Sequence, residues 1–407
     1  MSNTLKFIDM VAREAQIVAH EKCQFIATTD RQYDDSFGRT GAKIGATLRV
    51  RKPNQYLRRQ GPRVMDVQDQ NEATQTITVA TQDGVDMRFN SAELALDTDN
   101  VTEVAAFSKR YIEPAVSALM SGIESDYLAF ATKATAQLVG SANTANTTLD
   151  YFTKARAKLN QQLAPKDSRC IQMDSVGMGA LVNGVAAYFA PPNQISEQYR
   201  EGLVKRTQMA DFYENERVWT LTNGADVAGN VNGTQTSISS AITVKDFSAA
   251  PAVGAVFTIA GVYDIHPETK AVYPHLKQFT VGAGATTTSI PLSPIPVWDT
   301  TNARQNCYVA LGYITTEDDV TFVGDASSSY VQPLMYHPDA FQFVTADLPL
   351  MDDAHKCVRK TQDGLSLRVW QASDIRNDEM LMRIDILYGM AALRPEWACR
   401  LIGIKNA

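Results

Sequence analysis

The sequence predicts an α+β fold with a small β domain inserted into it, and three observations carry that prediction. Residues 104–130 place apolar side chains at helical spacing over a length that only a long helix satisfies. Residues 46–89 switch to a period of two, with polar and apolar positions alternating. From about residue 223 to 333 charge thins out and Thr, Ser, Ala, Gly and Val dominate, with short β-type runs at regular intervals. The chain is 407 residues long, enough for about two or three folding units.

At the N-terminus Leu5, Ile8, Val11, Ala15 and Val18 recur every three or four residues and predict an amphipathic helical arm over 5–20. The polar stretch 23–36, containing TTDRQYDD, and then Gly38, Gly41 and Gly45 keep a helix from running on. Next, Leu48 and Val50 alternate with Thr47, Arg49 and Arg51, and Ile77 and Val79 with Thr76 and Thr78, which predicts a long two-stranded excursion. Its charge is segregated. Residues 43–63 hold seven bases (Lys43, Arg49, Arg51, Lys52, Arg58, Arg59, Arg63) and no acid, whereas 66–103 hold nine acids against Arg88. Such strands either sit solvated or lie on another copy of the chain, where opposite charges meet; only the second gains from segregation.

Asn90 with Glu93, and Asn100 with Glu103, are spaced as capping boxes ahead of the long helix, whose apolar face reads Val104, Phe107, Tyr111, Val116, Leu119, Ile123, Tyr127 and Phe130. Pro114 either kinks that helix or sits in the first turn of a second segment. A second helix is predicted over 150–163, ended by Ala164-Pro165, then a strand over 169–173 and Asp174 as the cap of a further helix. Inside the insertion the strand-like runs are 237–244, 256–262, 278–281, 286–292 and 320–324; after it come 340–345, 365–371 and 380–393.

Lys plus Arg is 38 and Asp plus Glu 45, a net −7 that has the wrong sign for a protein held to DNA by bulk charge. Charged residues interrupt the first turns, so no signal peptide is expected. The longest uncharged run, 278–298, is too rich in Gly, Thr and Pro for a membrane span. Five cysteines in no CxxC or Cys/His spacing predict free thiols of a reducing compartment. No phosphate-binding, dinucleotide, zincin or nucleophile-elbow motif occurs. The five scattered histidines read as structural, and Glu317, Asp318 and Asp319 as a solvated turn. Asp352, Asp353 and His355 lie close enough to suggest a metal, but adjacent acids point apart and no further ligand spacing supports them. Tyr56, Arg58 and Arg59 have the composition of a phosphate contact, yet their two-strand setting favours a protein partner. No catalytic, cofactor or metal residue is expected.

Over nearly its whole length the chain resembles the major capsid (coat) proteins of short-tailed phages of the Salmonella and Shigella phage type, which use the capsid fold shared by tailed phages and herpesviruses. The likeness rests on TTDRQY at 28–33, GATLRVRKPNQY at 45–56, the YIEPAVSALMSGIESDYLAF helix at 111–130, IPVWDTTN at 295–302 and MRIDILYGMAALRPE at 382–396. The resemblance implies an N-terminal arm (1–40), an extended loop (41–89), a peripheral domain with the spine helix (90–164), an axial domain (165–222), an inserted β-barrel (223–335) and an axial and peripheral return (336–407). It also implies a structural role: pentamers and hexamers closing an icosahedral shell around double-stranded DNA, with no covalent links and no catalysis. The implied partners are other copies of the chain, a scaffolding protein, a portal protein and a decoration protein, with packaged DNA touched only non-specifically and no membrane. Assembly would occur in the bacterial host cytoplasm, and Arg49, Arg51, Lys52, Arg58, Arg59 and Arg63 of the loop would face a neighbouring subunit. A cytosolic hydrolase with a β accessory domain, and a β module recognising a glycan or receptor, are the rival readings.

Overall fold

The structure is a computed structural model describing residues 13, 15, 17, 23–31, 46–51, 54–58, 61, 74–90, 111–142, 148–185, 206–207, 210–350, 356–362, 365–403 and 405–406. It divides into two compact units, one built from 1–50, 74–127 and 341–391, the other from 51–73, 128–340 and 392–407.

In the first unit a six-stranded sheet gathers pieces from distant parts of the chain. Asp30–Arg31 runs parallel to Phe341–Ala346, followed by Glu379–Ala392, Leu365–Asp374 and Lys356–Gln362, while Thr81–Asn90 pairs with the long Glu379–Ala392 strand from Glu379↔Asn90 to Tyr388↔Thr81. Residues 341–346 are buried on both faces, Gln342 and Thr345 along with the apolar side chains, so no alternation of buried and exposed positions runs along this strand. Ala46–Arg51 and Thr74–Val79 form the predicted two-stranded pair. Ile77 and Val79 are buried and Thr74, Thr76 and Thr78 exposed, the alternation read from the sequence. The excursion is shorter than expected, however, because Thr81–Asn90 leaves it to join the sheet. The polar stretch after Cys23 also departs from expectation. Gln24–Thr28 (α1) is helical there because Phe25 and Ile26 bury themselves, Phe25 packing 4.7 Å from the Tyr127 ring. Of the N-terminal helix, Arg13, Ala15 and Ile17 are described; all are helical, with Ala15 buried. Asn90 of the first capping box ends the Thr81–Asn90 strand, and Glu93, Asn100 and Glu103 lie outside the described residues.

The spine helix (α2) is Glu113–Ala134, the longest of the described helices. Tyr111 and Ile112 precede it as a π turn, and Pro114 is the second α-helical residue. Near a helix start the missing N–H forfeits little, so the proline begins the α segment without breaking its interior. Val116, Leu119, Met120, Ile123, Tyr127, Leu128 and Ala131 form the buried face.

In the second unit Leu149–Gln161 (α3) and Ser175–Val185 (α4) cover a six-stranded sheet ordered Leu138–Val139, Ala398–Leu401, Leu334–Tyr336, Arg169–Met173, Ala210–Glu214, Arg206–Thr207. Phe152, Leu159, Met178 and Leu181 pack on Ile171, Met173 and Phe212. The predicted Asp174 cap is present, its Oδ2 accepting the Gly177 N–H at 3.2 Å. The insertion closes on itself. Val256–Ile265 pairs with Val272–Val281 on one side (Phe257↔Phe279) and Asp319–Phe322 on the other (Phe257↔Phe322), and Ser289–Ser293, Ala241–Lys245 and Ala228–Val231 complete the ring. Gly261 adopts a left-handed φ of +77°, and beyond that bend the same long strand pairs with Cys307–Val309. Phe257, Phe279, Ile242, Val244, Ile290 and Val320 fill the barrel. The barrel strands span 228–322, inside the expected 223–335. Met335 itself lies in the middle of a strand of the six-stranded sheet, because Leu334, Met335 and Tyr336 are wholly buried between strands Arg169–Met173 and Ala398–Leu401. Residues 336–407 likewise divide: 341–391 joins the first unit and 392–407 the second.

Candidate functional site

The residues singled out for contact between copies cluster on and after the first strand of the two-stranded pair. Arg49 occupies that strand, Arg51 ends it exposed, and Tyr56 and Arg58 are exposed beyond it, Tyr56 by 56%. Lys52, Arg59 and Arg63 lie outside the described residues. The acids that follow are partly committed within the chain. Asp83 accepts the Tyr388 hydroxyl at 2.6 Å, Asp86 lies 3.7 Å from Arg383, and Arg88 meets Glu379 at 3.3 Å. Burial, then the Asp83 carboxylate, push the Tyr388 phenol well above its ordinary range. Arg51 and Arg58 on the basic side and Asp86 on the acidic side thus expose their side chains, while Asp83 is bonded within the sheet.

Among the described residues the candidates for chemistry are not brought together. Asp352, Asp353, His355 and His20 lie outside the described residues. His266 Nδ1 accepts the N–H groups of Glu268 and Thr269 at 3.2 and 3.1 Å, and His337 Nδ1 that of Asp339 at 3.3 Å, so both shape turns. Asp318 accepts the Thr315 N–H at 2.7 Å and Glu317 pairs with Lys245, the turn that sequence predicts. Among the described residues no group of three His, Cys, Asp or Glu could hold a metal. All five cysteines are free; burial pushes the thiols of Cys307 and Cys399 up to about 12, which keeps them protonated.

Comparison with known proteins decides the identity. The family model described as "P22 coat protein - gene protein 5" matches residues 60–403. The chain belongs to the P22 coat protein family. It is a capsid protein that forms an icosahedral shell and part of the virion, and not an enzyme. No curated protein sequence matches. Similar solved structures include one from Mycobacterium phage Che8 (10% identity, TM-score 0.47, covering 92% of this chain and 91% of that one) and the mature capsid of bacteriophage PhiM1 (10%, 0.45, 89% and 83%). A capsid of Cyanophage P-SCSP1u is 12% identical with a TM-score of 0.43, covering 89% and 84%.

Several residues that tie the elements of each unit together were not singled out from sequence. Glu124, fully buried on α2, accepts the N–H groups of Gln24 and Phe25 at 3.1 and 2.7 Å. It thereby caps α1 from a distance, since Cys23 at the cap position supplies no side-chain bond. Arg400, also fully buried, donates to Thr135 O and Gly254 O at 2.7 Å each and so satisfies a carbonyl just past the end of α2. Burial lowers its guanidinium to about 9, still charged at neutral pH. Arg169 does the same for α3, donating to Ala164 O, Pro165 O and Asn160 Oδ1 at 2.6 to 2.8 Å. Gln278 of the barrel pairs both ways with the backbone of Leu138 (3.0 and 2.9 Å), acting as an extra strand residue on the outer edge of the six-stranded sheet. Asp264, at one end of the barrel, binds Lys277 Nζ at 2.8 Å and Gln162 Nε2 at 3.0 Å, with His275 Nε2 3.6 Å away. Burial pushes that carboxyl up, but His275, Lys277 and Lys158 outweigh it and hold it down to about 2. The available signal was a charged residue inside an apolar run: Arg400 in WACRLIG, Asp385 in RIDILYG.

Proposed function

We propose that the chain assembles as pentamers and hexamers that close, with a scaffolding protein and a portal, around double-stranded DNA in the bacterial host cytoplasm, and that a decoration protein binds the outside. The observation that carries this is membership of the coat protein family over 60–403. The net charge of −7 supports a lining that touches packaged DNA only weakly. The part of the extended loop that precedes Thr81 lies on a neighbouring subunit in this reading, with Arg49, Arg51, Lys52, Arg58, Arg59 and Arg63 facing acids there. Two different surfaces meet in such ring contacts, so a basic segment on one and acids on the other suit the geometry. Reversing Arg58 and Arg59 to Glu tests it. Exposed charge changes alter subunit stability by no more than about 0.5 kcal/mol, so the double variant is expected to stay folded by circular dichroism and to lose shell assembly in electron micrographs. Normal shells from that variant would remove the loop from the contact.

Cohesion is proposed to be non-covalent, since Lys43 and Lys52 sit near the base and first strand of the loop and not at its tip. Boiled, detergent-treated particles should run as one band near 44.7 kDa; a ladder of multiples would point to one of these lysines as a nucleophile.

A further inference from the structure

A cleft of about 60 Å³ opens in the second unit where α3, the barrel and the stretch just before the Ala398–Leu401 strand come together. Most of its polar walls are already committed. Gln278 is bonded both ways to Leu138, Gln162 donates to Asp264 at 3.0 Å, and Gln137 Nε2 donates to Glu396 O at 2.9 Å. Asp264 Oδ1 takes Lys277 Nζ at 2.8 Å, and its Oδ2 faces His275 Nε2 at 3.6 Å. Lys158 of α3 differs from all of these. It lines the same cleft, is half-buried, and among the described residues nothing accepts a hydrogen bond from its ammonium. Burial pushes that ammonium below its ordinary range, and the Lys277 charge nearby adds to the effect against the pull of Asp264. Two ammoniums thus share one buried carboxylate. Glu396, the other acid on the wall, is exposed and makes no ion pair with Lys158. A cation withdrawn from water without an acceptor is costly unless something else supplies the counter-charge.

We propose that this cleft binds a small oxyanion of the phosphate or sulfate class, with Lys158 as its principal donor. Charge selects an anion, because the buried part of the wall holds one cation more than it holds carboxylates. Size selects a small one. A water-sized position takes about 10–15 Å³, so the cleft has room for roughly four to six of them. The four oxygens of a tetrahedral oxyanion fill that space, and a nucleotide or a sugar does not fit. Lysine meets such an anion as a point charge and needs no planar fork to hold it. The walls come from α3, from the barrel and from the stretch ahead of the last long strand, so a bound oxyanion touches segments that lie together only in the folded chain and stabilises that state by mass action.

The test titrates inorganic phosphate into the unassembled full-length subunit, with ionic strength held constant by sodium chloride. In the wild type the phosphorus resonance of phosphate should broaden saturably, and the urea midpoint should rise to a plateau over the same concentrations. Sulfate should compete; chloride should not. Lys158→Met should weaken binding by about tenfold or more, the loss of one charge-assisted bond, without lowering the phosphate-free midpoint, since it removes a desolvated charge that has no partner. Lys158→Arg should keep binding, and Glu396→Gln, which takes an opposing acid off the rim, should tighten it. A wild-type chain with no saturable binding would overturn the proposal whatever the variants do, for the cleft would then hold water only. Equal binding by wild type and Lys158→Met would overturn it too. So would a midpoint that climbs without a plateau and equally in both, because phosphate then acts only as a salt that favours burial in general.

Discussion

The barrel and the six-stranded sheet of the first unit are both largely β, but they fix their registers by different means. The barrel uses one continuous stretch, 228–322, and a core of side chains without charge, with Phe257 ringed by Phe279 and Phe322 at 5.8 and 5.2 Å. Its buried ion pair, Asp264 with Lys277, stands near one end of the long strand, bonded outward to Gln162. The sheet joins segments some three hundred residues apart, as in Asp83↔Ile386. At its heart lies a wholly buried charge: Asp385 takes Arg368 Nη2 at 2.6 Å and Arg383 Nη2 at 2.8 Å. A hydrophobic face accepts any neighbour of the right volume, whereas a buried carboxylate accepts only the register that brings its cations. Arg368 and Arg383 lie 17 and 2 residues from Asp385, so the charge fixes the register between Leu365–Asp374 and Glu379–Ala392, while the distant strand Thr81–Asn90 sets Gly84 opposite Asp385.

The largest expected effect breaks the sheet through its charge. Asp385→Ala leaves Arg368, only 4% exposed, without its partner, and removing one member of a buried pair costs about 3–5 kcal/mol. Chemical denaturation should show that loss, while the barrel keeps its amide protection in hydrogen exchange. Arg368→Met combined with Asp385→Leu should recover most of the stability, because the desolvation cost of two charges goes with them. If the double variant also keeps wild-type exchange across Leu365–Asp374 and Glu379–Ala392, the ion pair is not what selects their register.

The same contrast explains what was legible in the sequence. The barrel announced itself because composition and period change within one stretch, and five of its strands fall where alternation put them; Ala228–Val231 was missed because Gly, Asn and Ala carry little β signal, and Cys307–Val309 because three residues are too short to show a period. The long helix, α3, the Arg169–Met173 strand and the Asp174 cap are local signals and were equally readable. The transfer of Thr81–Asn90 from loop to sheet was not, since its ten residues alternate the same way whichever strand they meet. Nor was α1 legible, as its cap, Glu124, is a hundred residues away. The candidate loop arginines were visible as a charge run; which acids remain free to meet them depended on the fold, which commits Asp83 and Asp86 internally.

A smaller effect probes the barrel's buried ion pair by pH. Asp264 titrates near 2 in the folded chain against 3.8 when unfolded, so the unfolded state binds its proton first as pH falls. That stabilisation is complete above about pH 5 and is lost on descending through 3.8 toward 2, roughly 2 kcal/mol in all. Asp264→Asn should therefore flatten the acid limb of a stability–pH curve measured by urea unfolding, at the expense of stability at neutral pH where Lys277 loses its counter-charge. An unchanged acid limb would mean that the cluster at the barrel end carries no such linkage.

One glycine in each region separates the two packings most directly. A methyl added at Gly84 would lie 2.5 Å from Asp385 Oδ1 and 2.8 Å from the backbone oxygen of Ile384. One added at Gly229 would meet only the Phe247 ring, at 2.4 to 2.7 Å. Neither glycine has a positive φ, so the methyl's space alone decides the cost. In the sheet the obstacle is a paired carboxylate and a strand backbone, neither of which can retreat without loosening the Arg368 bond. In the barrel it is a side chain 7% exposed at the edge of the core, which can rotate outward. Overpacking costs typically about 1–3 kcal/mol; Gly84→Ala should fall at the upper end and Gly229→Ala at or below the lower, read as shifts in denaturation midpoint at constant slope. Equal shifts, or a larger one at Gly229, would show that the barrel is packed as rigidly around its aromatic rings as the sheet is around its buried charge.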